Sequence, residues 1–125
     1  MPSLRTGVDL IEIERFTSAY QHYNQRFLQR VFTSTELTEN GDNMASLSAR
    51  FAAKEAVAKA LGTGIGLVSW KDIEICRAAS GEPILNLLGT AKRLATEQGL
   101  ETWSISLSHT QEHAIAFVVA MGRDD

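Results

Sequence analysis

Two carboxylates, Asp9 and Glu55, are the side chains most able to do chemistry in this sequence. Asp9 interrupts the apolar segment Gly7-Val8-Asp9-Leu10-Ile11, where a buried carboxylate is costly unless it is paired or binds a metal ion. Glu55 lies in an alanine-rich segment and precedes Lys59 by about one helical turn. If the two carboxylates converge, they offer the hard oxygen ligands that Mg²⁺ prefers when substrate phosphates complete its coordination. Ordinary structural roles stay open for both, as a helix cap for Asp9 and as a solvated surface residue for Glu55.

The helix that carries Glu55 is predicted over Ser46–Leu61, with Gly62 as its C-terminal cap. At about 100° per residue, one half of this helix is apolar and should pack against the core. The other half should face solvent or a ligand, and its members are Arg50, Phe51, Lys54, Glu55 and Lys59.

A glycine run, Gly62-Thr63-Gly64-Ile65-Gly66, follows that helix directly. Such a run turns tightly and lets a ligand approach the backbone amides, and phosphate is the natural ligand. The run is neither the dinucleotide-binding fingerprint nor a P-loop, because it follows a helix and lacks the Gly-Lys-Ser/Thr ending. A phosphate at the negative end of a helix dipole would need cations such as Lys59. A simple helix end also explains the glycines.

His109 is a third candidate, since it ends the alternating segment Trp103–His109 at a turn. A serine hydrolase is disfavoured, because Ser108 and His109 point to opposite faces of a strand and the sequence has no nucleophile elbow. We assign no role to His113, which lies near the same turn.

The elements that must position these residues alternate between strands and helices, which indicates an α/β (α+β) fold. Local signals are a capping box at Thr33–Glu36 and turn residues at Ser80–Pro83. The predicted elements are a strand over Leu4–Leu10, a helix from Ile11, a short helix from Thr33 to about Gly41, the helix Ser46–Leu61, a hairpin of Ser69–Ala78 with Ile84–Leu87, a helix over Thr90–Gln98, and antiparallel strands Thr102–Leu107 and His113–Met121.

Length and composition indicate one soluble domain over residues 1–125. The chain has 125 residues, of which 44% are hydrophobic and 22% charged, and a net charge of −3 that should recruit neither nucleic acid nor an anionic membrane. A single cysteine and a start without a secretory signal predict a cytoplasmic protein.

The longest apolar run, Ala114–Met121, has eight residues, whereas a membrane-spanning helix needs about 20. We therefore expect no membrane span. Its β-branched and aromatic residues favour a strand that is buried on both faces. In so small a domain, the second covering face is expected to come from another subunit.

Three segments together resemble the motifs of the holo-acyl-carrier-protein synthase family of 4'-phosphopantetheinyl transferases, in order and in spacing. The segments are Gly7–Ile13 with Arg15-Phe16, Arg50–Ala56 with Lys59-Ala60 and Gly62–Gly66, and Ile105–Thr110. The resemblance implies a small antiparallel sheet with a long central helix and flanking helices. It also implies a homotrimer whose active sites lie in clefts between subunits.

By this resemblance Asp9 and Glu55 match the magnesium ligands, and both count with Lys59 as catalytic residues. The positions that match the surroundings of the coenzyme A phosphates and nucleotide are Arg50, Lys59, Gly62, Gly64, His109 and Thr110. The implied reaction moves 4'-phosphopantetheine from coenzyme A to a serine of apo acyl carrier protein, releases adenosine 3',5'-bisphosphate, and supports fatty acid biosynthesis. Either Glu55 or a water on the metal ion takes the serine proton.

The segment Arg15–Thr35 contains no acidic residue, and it carries Arg15, Arg26 and Arg30. Carrier proteins of this kind are acidic, so a basic patch would raise their rate of association. The resemblance also assigns carrier recognition to this region. We expect the helix here to be interrupted near Tyr23 and Asn24.

Glu82 departs from the family pattern, since a basic residue is common there. Two alternatives of other classes stay open. One is a non-catalytic trimeric module that binds coenzyme A or another nucleotide. The other is a metal-dependent phosphoester hydrolase that uses Asp9 and Glu55.

Overall fold

The computed structural model describes residues 2–123. In this range the chain forms five strands and four α-helices, which make up an α+β fold. In chain order they are β1 (Pro2–Glu12), α1 (Ile13–Val31), α2 (Ser34–Asn40), α3 (Met44–Leu61), β2 (Ile73–Arg77), β3 (Pro83–Leu87), α4 (Gly89–Glu97), β4 (Leu100–His109) and β5 (His113–Arg123). Within residues 2–123, no helix is both long and apolar enough to cross a membrane.

The main sheet has the order β1-β5-β4, and both of its pairs are antiparallel. On the central strand β5, the residues that face the core are small and buried, namely Ala114, Ala116, Val118 and Ala120. Residues between them point to the other face, where the Phe117 side chain is 46% exposed. The second face of β5 is therefore uncovered among residues 2–123, and its cover by another subunit stays a prediction.

The helix α3 packs on the core-facing side of β1 and β5 and is buried almost all round. Lys54 is fully buried, and Arg50 is only 6% exposed. The predicted solvent-facing half of this helix is therefore wrong for these two residues. The reason is that β2 packs on this side of α3 and that Glu36 of α2 pairs with Lys54 there.

Lys54 is held by an ion pair with Glu36 of α2, with 2.8 Å between Nζ and Oε1. Its ammonium also donates to the backbone carbonyls of Trp70 and Ile73. Glu36 accepts further hydrogen bonds from backbone amides, including that of Ile75 at 2.9 Å. The predicted capping box of Thr33 and Glu36 is confirmed, and the same carboxylate thereby joins α2, α3 and β2.

The predicted interruption of α1 is confirmed at Asn24, whose φ of 58° and ψ of −147° are not helical. The rings of Phe16 and Phe27 are 5.5 Å apart. On a straight helix, eleven residues would separate them by about 16 Å. The break therefore folds the second half of α1 back onto the aromatic cluster of the first.

The predicted starts of the first helix and of the strand β2 are wrong. The first helix begins at Ile13 rather than Ile11, because β1 stays paired with β5 up to Glu12. Residues 69–72 form a single 3₁₀ turn closed by Ser69 and Asp72, so the strand begins only at Ile73. The hairpin of β2 with β3, the helix α4 and the pairing of β4 with β5 agree with the predictions.

Replacing Lys54 by methionine should lower the free energy of unfolding by about 3–5 kcal/mol, because the Glu36 carboxylate stays buried without its cation. Urea denaturation measures this, with the exposed Lys92→Met as the control. Adding Glu36→Gln should recover part of the loss, since no unpaired buried charge remains. A double variant that is as unstable as the sum of both single variants would contradict this explanation.

Candidate active site

The site begins with a contact between two backbones, where β1 crosses α3 at Gly7. A Cβ atom built on Gly7 would lie 1.8 Å from the carbonyl oxygen of Ala56. Only glycine permits this approach, because no side chain fits between strand and helix. Asp9 follows two residues later on the same face of β1 and therefore lies beside the next part of α3.

Asp9 and Lys59 meet at this point. Lys59 Nζ donates to Asp9 Oδ1 and to the Val8 carbonyl, both at 2.9 Å. The Asp9 side chain is 17% exposed and that of Lys59 is 51% exposed. An ammonium has three N–H donors, so Lys59 keeps one for a ligand.

Glu55 is half-buried one turn before Lys59 on α3. Its pKa is raised, first because burial disfavours the carboxylate and second because the Asp9 charge is close, while Lys59 opposes the shift. Asp9, Glu55 and Lys59 thus form one electrostatically coupled centre. Two carboxylates against one ammonium leave a deficit of positive charge, and their oxygens are the donor type that suits a divalent cation such as Mg²⁺. The site therefore fits such an ion chemically.

The glycine run after α3 does not offer the free amides that the sequence suggested. The amides of Gly62, Thr63 and Gly64 donate to carbonyls of the last helical turn, and that of Gly66 donates to Val68. Gly62 has the left-handed conformation of a helix cap, with φ of 81°. Any ligand here must therefore be held by side chains near the loop rather than by these amides.

Arg50 lies away from this centre, about 13 Å before Lys59 along the helix axis. Its guanidinium donates to the Ser46 carbonyl, and its Nε is buried without a partner among the described residues. Burial lowers the pKa of Arg50, and the nearby Arg77 lowers it further. The structure does not bring Arg50 together with Asp9 in one chain.

His109 and Thr110 are also separate from the centre. The register pairs Asp9 with Ala116 of β5 and Ala116 with Leu107 of β4, so two strand spacings of about 5 Å each separate β1 from β4. Thr110 Oγ1 accepts hydrogen bonds from the amides of the following turn, at Glu112 and His113. In one chain these residues stabilise the turn between β4 and β5.

The three arginines proposed for partner binding are exposed and line two neighbouring clefts. Arg15 borders a cleft of about 380 Å³ whose walls include Phe16 and Phe27. Arg26 and Arg30 border a second cleft of about 620 Å³ that also includes Phe27. The break in α1 therefore places Arg15 on one side of Phe27, and the pair Arg26 and Arg30 on the other.

Sequence reasoning missed Arg5. Its guanidinium Nη1 lies 3.6 Å from the position that a Cβ of Gly62 would occupy. A signal was present, because Arg5, Gly7 and Asp9 alternate along a strand and therefore share one face.

Known proteins share both this sequence and this fold. The family model of the 4'-phosphopantetheinyl transferase superfamily matches residues 5–118. A holo-[acyl-carrier-protein] synthase from Herpetosiphon aurantiacus is 49% identical over 126 residues, which cover 95% of this chain and 99% of that protein.

Two solved structures agree with this match. Holo-[acyl-carrier-protein] synthase from Helicobacter pylori, in complex with coenzyme A, has a TM-score of 0.84 at 32% identity and covers 92% of this chain and 98% of its own. The Neisseria meningitidis enzyme has a TM-score of 0.83 at 39% identity, covering 93% and 96%.

Fold and sequence thus assign this chain to the class of phosphopantetheinyl transferases. The chain belongs to the 4'-phosphopantetheinyl transferase superfamily and, within it, to the holo-[acyl-carrier-protein] synthase family. It is accordingly an enzyme, and the transferase class is favoured over the binding module and the hydrolase.

Replacing Gly7 by alanine should lower the free energy of unfolding by about 2 kcal/mol or more, because strand and helix must separate to admit the methyl group. The same movement should carry Asp9 away from Lys59 and reduce transferase turnover. Thermal unfolding and a transfer assay measure both effects, with the exposed neighbour variant Thr6→Ala as the control. A Gly7→Ala protein with unchanged stability and turnover would refute the role of this contact.

Proposed function

We propose that this chain transfers 4'-phosphopantetheine from coenzyme A to a serine hydroxyl of apo acyl carrier protein, with Mg²⁺ held by Asp9 and Glu55. The convergence of Asp9, Glu55 and Lys59 is the observation that carries this proposal. The coenzyme A complex of the Helicobacter pylori relative and the name shared by the relatives support the choice of both substrates.

In this reaction the serine oxygen attacks the β-phosphorus of coenzyme A. The bond from that phosphorus to the oxygen bridging the two phosphates breaks, and adenosine 3',5'-bisphosphate leaves with the bridging oxygen. The serine proton passes to Glu55 or to a water beside it. Burial and the Asp9 charge raise the pKa of Glu55 and so favour proton uptake, whereas a cation held by the same carboxylates would oppose this shift.

Lys59 supports the same step by stabilising negative charge on the phosphate oxygens. Its ammonium is half exposed, and the donor not used by Asp9 and Val8 is available to a phosphate oxygen. When bound, Mg²⁺ would offset the negative charge of the diphosphate. Asp9 in turn orients Lys59 and shares its charge, so loss of either residue disturbs both.

The remaining nucleotide-binding residues are proposed on the resemblance, and they are Arg50, Gly62, Gly64, His109 and Thr110. Gly62 and Gly64 come three and five residues after Lys59, and Gly64 leaves open space, since no atom lies within 4 Å of a Cβ built on it. Arg50, His109 and Thr110 lie farther from Asp9 within one chain. A shared role at one coenzyme A molecule therefore favours a site completed by a second copy of the chain.

We propose the homotrimer on the same grounds. The uncovered face of the main sheet is apolar on β1 and β5, and monomeric proteins seldom leave such a continuous face open to water. The exposed members of this face are Leu4, Val8, Leu10, Ile115, Phe117 and Met121. Burial between three copies would give β5 the second cover that the sequence led us to expect.

The cellular role proposed is the activation of carrier protein for fatty acid biosynthesis by a single-domain enzyme in the cytoplasm. A carrier substrate follows from the name that the relatives share. The single cysteine, Cys76, is unpaired and has its pKa raised to about 11, first by burial and then by its hydrogen bond with Glu74. Such a thiol stays protonated and needs no oxidising compartment.

Carrier recognition is proposed for Arg15, Arg26 and Arg30. All three are exposed, they border the two clefts that share Phe27, and the segment Arg15–Thr35 contains no carboxylate. An acidic carrier would be attracted to this surface despite the net negative charge of the whole chain.

The decisive experiment incubates apo acyl carrier protein with coenzyme A, Mg²⁺ and this chain, and measures the carrier by mass spectrometry. We expect a gain of one phosphopantetheinyl group on one serine, with an equal amount of adenosine 3',5'-bisphosphate. Removal of Mg²⁺ with a chelator should stop the transfer. Bisphosphate release without carrier would identify a hydrolase, and coenzyme A binding without either product would identify a binding module.

In the same assay, Glu55→Gln should reduce kcat by about 100-fold or more if Glu55 takes the proton directly. The matched control is Glu97→Gln, which makes the same change at an exposed position on α4. Wild-type turnover by Glu55→Gln would exclude Glu55 as the base.

Reversing Arg15 and Arg26 to glutamate should raise KM for the carrier by about ten-fold or more at low salt, because attraction becomes repulsion. KM for coenzyme A should stay unchanged, and added salt should shrink the difference. Arg93→Glu, at an exposed position on α4, is the control. Equal changes in the two KM values would refute the patch.

A further inference from the structure

Arg5 is a cationic residue to which the proposed reaction assigns no role. It lies on β1 with Gly7 and Asp9 on the face that turns toward α3, because side chains alternate along a strand. Its neighbour on β5 is the buried Ala120, whereas Arg5 itself is exposed. Arg5 is therefore a charged residue at the open end of the face that carries Asp9.

The Arg5 guanidinium lies over the start of the glycine loop. Its Nη1 is 3.6 Å from the point where a Cβ on Gly62 would stand, and Gly62 comes three residues after Lys59. The guanidinium therefore lies next to Gly62, while Gly64, two residues later, faces open space that a ligand can fill, since no atom lies within 4 Å of a Cβ built on it. Arg5 and Lys59 thus border the same end of α3.

The Arg5 charge is favourable near the C-terminal end of α3, but the described part of the chain leaves its hydrogen-bond donors unused. Within residues 2–123 its side chain makes no hydrogen bond and no ion pair. Nor does the end of α3 need it as a cap, because the carbonyls of Ala58, Lys59 and Leu61 already accept hydrogen bonds from other groups. Its donors are therefore available to a ligand.

The chemistry at this place calls for such a cation. Four of the five loop amides, those of Gly62, Thr63, Gly64 and Gly66, already donate to carbonyls, so an anion beside the loop must be held mainly by side chains. Lys59 shares its charge with Asp9, while coenzyme A carries a diphosphate and a further phosphate on its ribose. A guanidinium suits this task, because its planar N–H groups can bind two phosphate oxygens at once.

We propose that Arg5 is a substrate-binding residue that holds a phosphate group of coenzyme A beside the Gly62–Gly66 loop. This inference rests on the proposed function, since it takes coenzyme A as the substrate. It adds a contact outside the three motifs that carry the family resemblance.

The test measures coenzyme A binding by calorimetry, in low salt with Mg²⁺ and without carrier protein. Arg5→Gln should raise Kd by about five-fold or more, because a charge-assisted pair of hydrogen bonds is lost. Arg5→Lys keeps the charge and should recover part of the affinity. Arg93→Gln, an exposed arginine on α4, should stay within about two-fold of the wild type.

A second ligand identifies the phosphate. If Arg5→Gln weakens coenzyme A but not 3'-dephospho-coenzyme A, Arg5 holds the ribose phosphate; if it weakens both, Arg5 holds the diphosphate. Either result supports the proposal. KM for the carrier should not change, and the thermal midpoint should stay near that of the wild type.

Two results would overturn the assignment. One is a Kd for coenzyme A within about two-fold of the wild type in Arg5→Gln. The other is a lowered thermal midpoint with equal changes in coenzyme A Kd and carrier KM, which is the behaviour of a structural residue. A wild-type chain that binds coenzyme A but never modifies a carrier protein would refute the proposed function without refuting the role of Arg5.

Discussion

The direct contact between the backbones of β1 and α3 is the constraint on which the rest of the structure depends. Glycine at position 7 and alanine at position 56 remove the side chains that would separate strand and helix. Small buried residues on β5, such as Ala116 and Ala120, let the same helix lie flat on the sheet. Because the approach is so close, a strand carboxylate at Asp9 and a helix carboxylate at Glu55 come within electrostatic range.

Two lysines on α3 show how one helix serves both the fold and the site. Lys54 is enclosed, and its donors are satisfied by Glu36 and by two backbone carbonyls. Lys59, five residues later, is half exposed and bonds to Asp9 while keeping one donor free. The difference comes from what covers each side of the helix, since Lys54 faces α2 and β2 whereas Lys59 lies at the open edge beside β1.

We expect binding at the proposed site to depend on side-chain charge more than on backbone amides. The amides of Gly62, Thr63 and Gly64 finish α3, so the proposed site relies on the cations Lys59 and Arg5 to meet phosphate. The broken helix α1 presents a second positive surface, in which Phe27 separates Arg15 from Arg26. In the proposed reaction both positive surfaces lie where an anionic substrate would approach, although the net charge of the chain is −3.

Local signals in the sequence determined the ends and breaks of many elements. The capping box at Thr33, the glycine cap at Gly62 and the hairpin turn before Pro83 act through neighbours in the chain, so a short window suffices to find them. The carboxylate pair and Lys59 were also found, because a charge in an apolar strand and a long helical motif are unusual in themselves. Only the tertiary structure decided that Lys54 is buried, that β1 continues to Glu12 and that Arg5 stands over the glycine loop. Each of these outcomes depends on contacts between residues that are far apart in sequence, and the energy of such a contact exists only once the chain has folded.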